Sequence, residues 1–481
     1  MRIFKFSNII FIFGLLFSIF VLCYSIYRTF NPQIYFYQHA TVSISPEYYT
    51  IYLIISLFLI FFFIFCLKLD HNKKINVSLL LSTIIISLYI FEFYLWNFDK
   101  LNKIKNNTII HQINILNDLR NKNIDAYLNY FPKNLLENIS TINGLKYKEE
   151  IIFPINGIGN ITSISNNEHG YNPIIAYDEY GFNNPKGIYD DNKKIDIIMV
   201  GDSFAEGVSV NSEDSIQASL RKSNYNTLSI ARGGSGPLMQ LASIKEYAEI
   251  LKPKVVLWFF FENDINDLKT ELKSSTLVKY MNDENYSQKL IFKQKQIDFI
   301  LKKYLKNKEI KFLKNINQSS KNFNEVKKFN SNRIVKNIIY FTKLTKLRKR
   351  LGILDYIKLF TLPPSVPHPW LLNEDTPIKE FEHILKNAKK LVSSWEGKMY
   401  LVYIPYKSSY YKNASRHPIS KHVFETTNKL NIPVIDLHTK VLINHPRPFL
   451  LYEDHFNVNG YKFISEGLIK ELKKENIIPS K

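Results

Sequence analysis

Three apolar runs near the N-terminus place the strongest constraint on this chain. Residues 6–27 and 48–67 contain no charged residue, and residues 75–96 contain only Glu92. Each run is close to the roughly 20 residues that a helix needs to cross a bilayer. Because backbone polar groups in lipid must be satisfied internally, we expect three transmembrane helices, with Glu92 near an interface.

The short loops predict the orientation of these spans. Basic residues precede the first span or lie between the second and third, namely Arg2, Lys5, Lys68, Lys73 and Lys74, whereas only Arg28 lies between the first two. The positive-inside rule then places the N-terminus in the cytoplasm and everything after Trp96 outside. Lys100, Lys103 and Lys105 weigh slightly against this orientation. If the third run does not span, the large domain is cytoplasmic.

A cleaved signal peptide is the alternative for the first run, but no small-x-small cleavage site follows it.

Most of the net charge of +20 is local. Residues 269–350 hold 22 Lys/Arg against 6 Asp/Glu. Our first interpretation is that these residues form solvated helix faces. The second is a surface that binds a membrane or an anionic glycan. Binding of nucleic acid is the least favoured interpretation, because no nucleic-acid module is visible. Cys23 and Cys66 both lie in apolar runs, so the large domain has no disulfide and no thiolate chemistry.

The chain after the spans divides into two regions. Residues 98–190 are rich in Asn, Gly and turn signals, and we interpret them as a connecting region. From 191 to 481, short apolar runs alternate with amphipathic segments, which is typical of a parallel sheet covered on both faces. The predicted strands are Ile195–Val200, Thr227–Ala231, Lys254–Phe261, Met399–Ile404 and Ile432–Ile435. The predicted helices are Asp214–Lys222, Leu238–Leu251, Lys379–Val392, Lys421–Lys429 and one from about Gly460 to Lys474. We predict a three-layer α/β/α domain with a basic, largely helical insertion at about 269–378.

Four polar blocks follow predicted strands of this domain. They are Gly201-Asp202-Ser203, Arg232-Gly233-Gly234-Ser235-Gly236-Pro237, Glu262-Asn263-Asp264 and Glu453-Asp454-His455. In a parallel sheet the carboxyl ends of the strands share one edge, and ligands bind in the crevice there. A hydroxyl, a flexible glycine loop, an amide and an imidazole are therefore expected at one rim, which is a set suited to nucleophilic catalysis.

In this order, the four blocks resemble those of the SGNH/GDSL hydrolase superfamily. The resemblance covers about 195–481 without the insertion, and Gly234–Leu238 with Lys252–Trp258 is similar to membrane-linked bacterial members. It implies Ser203 as nucleophile and His455 as general base and then acid. It also implies an oxyanion hole made by the backbone N–H groups of Ser203 and Gly234 and the side-chain amide of Asn263. No cofactor is implied, and no His/Asp/Glu cluster has metal-ligand spacing.

The chain departs from the family pattern in two places. Glu262 stands where the third block usually has glycine. The last block usually has aspartate two or three residues before its histidine, whereas Glu453 and Tyr452 stand there and Asp454 is adjacent. We favour Asp454 slightly over Glu453 as the group that orients His455, and a Ser-His dyad with a backbone carbonyl is the third alternative.

Structural roles compete with these assignments. Ser203 could be a turn serine, Asn263 a helix cap, and Gly233 or Gly236 could take the place of Gly234. His438 and His445 compete with His455, which is favoured because it precedes a helix start close to the C-terminus. We interpret Asp202, Asp264 and Asp436 as local hydrogen-bonding residues.

Three hypotheses of function follow. The first is a membrane-anchored serine esterase of the bacterial cytoplasmic membrane that removes acyl groups, such as O-acetyl, from an extracytoplasmic glycan or lipid-linked sugar. The second is an O-acyltransferase of envelope polysaccharide, which would require a membrane partner because three helices are too few for an acyl carrier. The third is a non-catalytic, glycan-binding envelope component.

Overall fold

The chain forms two compact units. The computed structural model describes residues 2–31, 34–37, 40–43, 46–105, 108–189, 194–323, 338–351, 375–410, 416–452 and 454–477. The first unit comprises 1–106, 325–369 and 411–415, and the second comprises 107–324, 370–410 and 416–481.

The first unit is built on three long helices. They are Arg2–Phe30, Pro46–Lys68 and His71–Lys105, and the windows Phe6–Phe30, Tyr49–Lys68 and His71–Asn97 are long and apolar enough to cross a membrane. These windows match the three runs predicted from the sequence. An antiparallel pair, Ile34–Tyr37 with Ala40–Ser43, lies between the first two helices.

Glu92, the one charged residue of the third apolar run, has defined partners in the first unit. It is fully buried and accepts hydrogen bonds from the backbone N–H groups of Lys346 at 2.9 Å and Leu347 at 2.7 Å. These two residues open the short helix Thr345–Arg350. A carboxylate at a helix N-terminus satisfies donors that lack partners within the helix, which offsets the cost of burying the carboxylate.

The second unit contains a five-stranded parallel sheet. Its strands are β1 (Ile197–Val200), β2 (Thr227–Ser229), β3 (Val255–Phe261), β4 (Lys398–Ile404) and β5 (Val434–Asp436). Across the sheet their order is β2-β1-β3-β4-β5 and every pairing is parallel. The order reverses between β1 and β3, and ligands of doubly wound sheets bind at the carboxyl ends beside such a reversal.

Both faces of this sheet are covered, as continuous apolar strands require. In β3, Val256, Trp258 and Phe260 belong to one hydrophobic core, whereas Val255, Leu257, Phe259 and Phe261 belong to the other. Side chains of a strand alternate between its faces, so the two cores lie on opposite sides of the sheet. The predicted three-layer α/β/α class is confirmed.

The helices of the second unit follow the predicted pattern with small shifts of boundary. They are Thr108–Asn121, Ser203–Glu206, Ile216–Lys222, Pro237–Ser243 continued by a π-helical turn to Glu249–Leu251, Asp264–Glu271, Ser275–Asn282, Gln294–Phe323, Ile378–Ser394, Ile419–Lys429, Leu437–Lys440 and Val458–Lys474. Within the predicted insertion, the part up to residue 323 belongs to this unit, whereas 338–351 belongs to the first.

The connecting region contributes to the core of the second unit. Short strands at Ala126–Leu128, Thr162–Ile164 and Ile174–Ala176 form a small sheet, and Leu145–Tyr147 pairs with Glu150–Ile152. Phe153, Tyr177 and Phe182 are almost fully buried in the same core as Val200 of β1. The sequence predicted only a link for this region, because strands of three residues are too short to show a period.

A buried ion pair joins the helix after β1 to the loop after β2. Glu206 and Arg232 lie 2.8 Å apart, and their side chains are at most 1% exposed. The Glu206 carboxylate also accepts from Tyr177 Oη at 2.6 Å and from the Gly233 backbone N–H. Arg232 donates to Asn129 and to the Tyr130 carbonyl. One charge pair therefore fixes three separate chain segments.

We expect Arg232→Met to lower the free energy of unfolding by about 3–5 kcal/mol, because it leaves the Glu206 carboxylate buried without its cation. Guanidinium denaturation of the detergent-solubilised chain, followed by circular dichroism, measures the change. Lys390→Met is the control, because Lys390 pairs with Glu284 where both side chains are more than half exposed, and it should cost less than about 1 kcal/mol. Equal costs for the two variants would contradict a central role for the buried pair.

Candidate active site

Ser203 is the first residue of a one-turn helix that follows β1. Asp202 caps this helix by accepting from the Phe204 N–H at 3.0 Å, and Gly207 ends it with φ +81°. Capping holds the Ser203 side chain at the carboxyl edge of the sheet, where it is partly exposed. The Ser203 hydroxyl also lies 3.2 Å from the Asp202 carboxylate.

His455 lies against this hydroxyl. Its Nε2 is 2.7 Å from Ser203 Oγ, although 252 residues separate the two in the chain. The other ring nitrogen, Nδ1, is 2.9 Å from both carboxylate oxygens of Glu168. A carboxylate only accepts hydrogen bonds, so Nδ1–H donates to Glu168 and Nε2 is left to accept from the serine. Ser203, His455 and Glu168 therefore form a continuous hydrogen-bond chain with the geometry that a catalytic triad requires.

Glu168 comes from the connecting region, which sequence analysis did not consider for the site. It lies in the loop between the strands Thr162–Ile164 and Ile174–Ala176 and also accepts from the His455 backbone N–H at 3.2 Å. The neighbouring His169 ring lies 3.2 Å from the Phe456 carbonyl. The consecutive residues Glu168 and His169 therefore contact the consecutive residues His455 and Phe456. No spacing rule relates residues 168 and 455, because the contact depends on the tertiary fold.

The charges around His455 favour its protonated form. Burial alone would lower the pKa of the imidazole, but the hydrogen bond and charge of Glu168, with smaller contributions from Asp202 and Asp454, raise it above its ordinary value. Burial acts to raise the pKa of Glu168 in turn, and the contacts with His455 bring it below its usual range. The pair is therefore arranged to stabilise the imidazolium that forms when serine gives up its proton.

The two acidic residues favoured from the sequence are placed differently. Asp454 is exposed, and among the described residues it makes no hydrogen bond to His455, on whose pKa it has only a small effect. Glu453 lies outside the described residues. Glu168, and not Asp454, is thus the carboxylate hydrogen-bonded to His455 Nδ1 in the described residues.

Among the three glycines of the loop after β2, one has a backbone N–H that is available. The Gly233 N–H donates to Glu206, and the Gly236 N–H donates to Glu271 at 2.6 Å. Gly234 has φ +73°, a conformation that suits glycine, and no described residue accepts from its N–H or from that of Ser203. Among the three glycines weighed from the sequence, this pattern favours Gly234 as the oxyanion donor.

Asn263 stands at the N-cap of the helix Asp264–Glu271, yet its side chain makes no capping hydrogen bond. Its Nδ2 lies 3.4 Å from Asp267 Oδ2, and Asp267 is paired with Lys133. A Cβ on Gly234 would lie 3.0 Å from Lys133 Cβ, so Lys133 covers the glycine loop. Asn263 and Gly234 are therefore linked through Lys133 and Asp267. The Asn263 side chain does not cap the helix, which was the alternative role for this residue.

Glu262, which replaces the usual glycine, is a structural residue of the sheet. It accepts from Tyr403 Oη and from the Tyr406 N–H at 2.9 Å, which fixes the end of β3 to the end of β4. Burial raises its pKa to about 7. Glu262, in place of the usual glycine, therefore adds hydrogen bonds between the carboxyl ends of two neighbouring strands.

The remaining candidates take part in local contacts. Asp264 accepts from Gln240, and Asp436 caps the helix Leu437–Lys440. His438 Nδ1 lies 2.9 Å from Tyr410 Oη, and His445 Nδ1 accepts from the Arg447 N–H. Within the described residues, no group of three or more His, Cys, Asp or Glu could hold a metal ion.

The strand order and the places of Ser203 and His455, after β1 and before the last helix, agree with the fold that the SGNH/GDSL resemblance predicted from the sequence. No family model matches the chain, and no curated protein matches it. Several solved structures are similar, among them the following three. A putative lipolytic protein of the G-D-S-L family from Desulfitobacterium hafniense DCB-2 shares 13% identity, with a TM-score of 0.29, over 57% of this chain and 98% of its own.

The other two are TesA and a psychrotrophic esterase, EstA, from Pseudoalteromonas sp. TesA shares 10% identity, with a TM-score of 0.28, over 59% of this chain and 99% of its own. EstA shares 9% identity, with a TM-score of 0.28, over 58% of this chain and 98% of its own.

We expect Glu168→Gln to lower kcat for phenyl acetate by roughly 10³-fold or more, because the amide no longer stabilises the imidazolium. The acid limb of the pH–kcat/KM profile should move to lower pH. This direction follows because His455 must be neutral to accept a proton, Glu168 raises its pKa, and burial alone lowers it.

Asp454→Asn is the matched control, since it also replaces a carboxylate beside His455 by an amide. It should change kcat by less than about 3-fold, with little movement of the acid limb. A larger loss in Asp454→Asn than in Glu168→Gln would contradict the assignment of Glu168.

Proposed function

We propose that this chain is a membrane-anchored serine esterase that releases acyl groups, O-acetyl first among them, from an extracytoplasmic glycan or lipid-linked sugar. The observation that carries the proposal is the continuous hydrogen-bond chain from Ser203 through His455 to Glu168. This complete chain favours catalysis over a decayed site that only binds glycan.

The reaction has two steps in this proposal. Ser203 Oγ attacks the ester carbonyl while His455 Nε2 takes its proton, and the oxyanion is held by the N–H groups of Ser203 and Gly234 and the amide of Asn263. The imidazolium then protonates the departing alcohol, which leaves an acyl-serine. Water attacks that ester, again with His455 as base, and releases the carboxylic acid.

Three membrane-spanning helices support an envelope substrate. By the positive-inside rule, the second unit would lie outside the cytoplasmic membrane of a bacterium. Acylated glycans and lipid-linked sugars are present in that compartment. Transfer of the acyl group to a sugar hydroxyl would use the same acyl-serine, with the hydroxyl in place of water and a membrane partner as donor. Nothing in the site favours transfer over hydrolysis, so hydrolysis is the simpler assignment.

We expect intact-mass analysis to detect one acetyl group on the purified chain shortly after mixing with phenyl acetate, and peptide mapping to place it on Ser203. Ser203→Ala should abolish both the adduct and the turnover, because within the described part of the chain Ser203 is the hydroxyl hydrogen-bonded to the His455 imidazole. Ser275→Ala is the control, since Ser275 is an exposed serine that also begins a helix. Turnover that persists in Ser203→Ala would overturn the proposal.

The decay of the adduct distinguishes the two forms of the reaction. An esterase loses the acetyl group to water alone, whereas a transferase keeps it until a sugar acceptor is added. Measuring the acetyl-serine lifetime with and without a disaccharide acceptor therefore decides between them.

A further inference from the structure

A cavity of about 150 Å³ lies in the second unit beside the catalytic loops. Phe131 forms part of its wall, and the same ring lies against Gly233, where an added Cβ would be 2.4 Å from it. On another side the wall includes Asn166, two residues before Glu168. The cavity is thus separated from the glycine loop by one aromatic ring, and one residue of its wall lies two positions before Glu168 in the chain.

The lining of this cavity combines carboxamides, aromatic rings and one cation. The residues that matter are Asn129, Phe131, Asn134, Asn166, Lys308 and Phe312. Carboxamides offer both donors and acceptors, which matches the hydroxyl groups of a sugar, and aromatic rings offer flat apolar faces.

Asn129 is fixed in this wall. Its Oδ1 accepts from Tyr177 Oη at 2.9 Å and from Arg232 Nη2 at 3.2 Å, which fixes the orientation of the amide. The wall is therefore held to the buried ion pair of Arg232 with Glu206.

Lys308 brings a positive charge to the cavity. It lies on the long helix Gln294–Phe323 with its ammonium 5.9 Å from the Phe312 ring, and no described carboxylate is within ion-pair distance. The adjacent Glu309 is engaged by Arg120 in a two-bond pair. Burial lowers the pKa of Lys308, and the charge of Glu137 offsets only part of this effect.

We propose that this cavity is a subsite for an anionic sugar residue of the ester substrate. Lys308 would bind the acidic group, the amides of Asn134 and Asn166 would bind hydroxyls, and Phe131 and Phe312 would flank the ring. The proposal builds on the esterase assignment and gives it a substrate class. It also gives a role to the helical insertion, which supplies Lys308 and Phe312.

The test compares two mono-O-acetylated disaccharides, one containing glucuronic acid and one its neutral glucose counterpart, with phenyl acetate. For the parent chain, kcat/KM should favour the acidic disaccharide over the neutral one by at least about 10-fold, the contribution of one charge-assisted hydrogen bond. Lys308→Met should remove most of this preference. Lys303→Met, which alters an exposed lysine of the same helix, should retain it.

Three results would overturn the subsite. One is a parent chain that cleaves acidic and neutral disaccharides alike, and another is a Lys308→Met variant that keeps the full preference. A preference for long acyl chains that is lost in Phe312→Ala would also overturn it, because the cavity would then hold the acyl group.

Failure of the esterase proposal itself gives a different result. A parent chain inactive on phenyl acetate refutes the chemistry at Ser203, whereas the subsite is tested separately by calorimetry with the glucuronic-acid disaccharide and the Ser203→Ala chain. Binding that weakens at least about 10-fold on adding Lys308→Met supports the subsite. Absence of binding, or equal binding to both chains, overturns it.

Discussion

The buried ion pair between Glu206 and Arg232 determines how the candidate site is assembled. Glu206 lies at the end of the nucleophile helix, Arg232 begins the glycine loop, and both are almost inaccessible to solvent. Because a charge in the interior requires its partner, neither segment can move without the other. The pair also binds Tyr177 and Asn129, so the segment that leads to Glu168 is fixed to the same point.

This arrangement explains how a residue far upstream becomes the triad acid. The small sheet of Ala126–Leu128, Thr162–Ile164 and Ile174–Ala176 belongs to the second unit, and the loop after its central strand, Thr162–Ile164, carries Glu168. In chain order the triad is therefore Glu168, Ser203 and His455. Catalysis depends on the geometry of such groups and not on their order, so an acid from an added segment can replace one next to the histidine.

The sequence predicted the long-period features well. Five strands and the helices between them were visible because apolar runs of a parallel sheet are continuous, and the three apolar N-terminal runs stood out by length. Ser203 and His455 were selected by motif, and the structure brings them within 2.7 Å of each other. Glu168 could not be found, since strands of three residues show no periodicity and a contact across 287 positions leaves no local signal. The hydrogen bond from Tyr403 to Glu262 could not be predicted from the sequence for the same reason.

The central claim is that Ser203, His455 and Glu168 act as one unit. The most direct measurement is an experimental structure of the chain after reaction with a fluorophosphonate. The account predicts phosphorus bonded to Ser203 Oγ, and the Glu168 carboxylate within hydrogen-bond distance of His455 Nδ1, about 2.7–2.9 Å. A structure with Asp454, Glu453 or a backbone carbonyl at Nδ1, or with the fluorophosphonate on another residue, would contradict it.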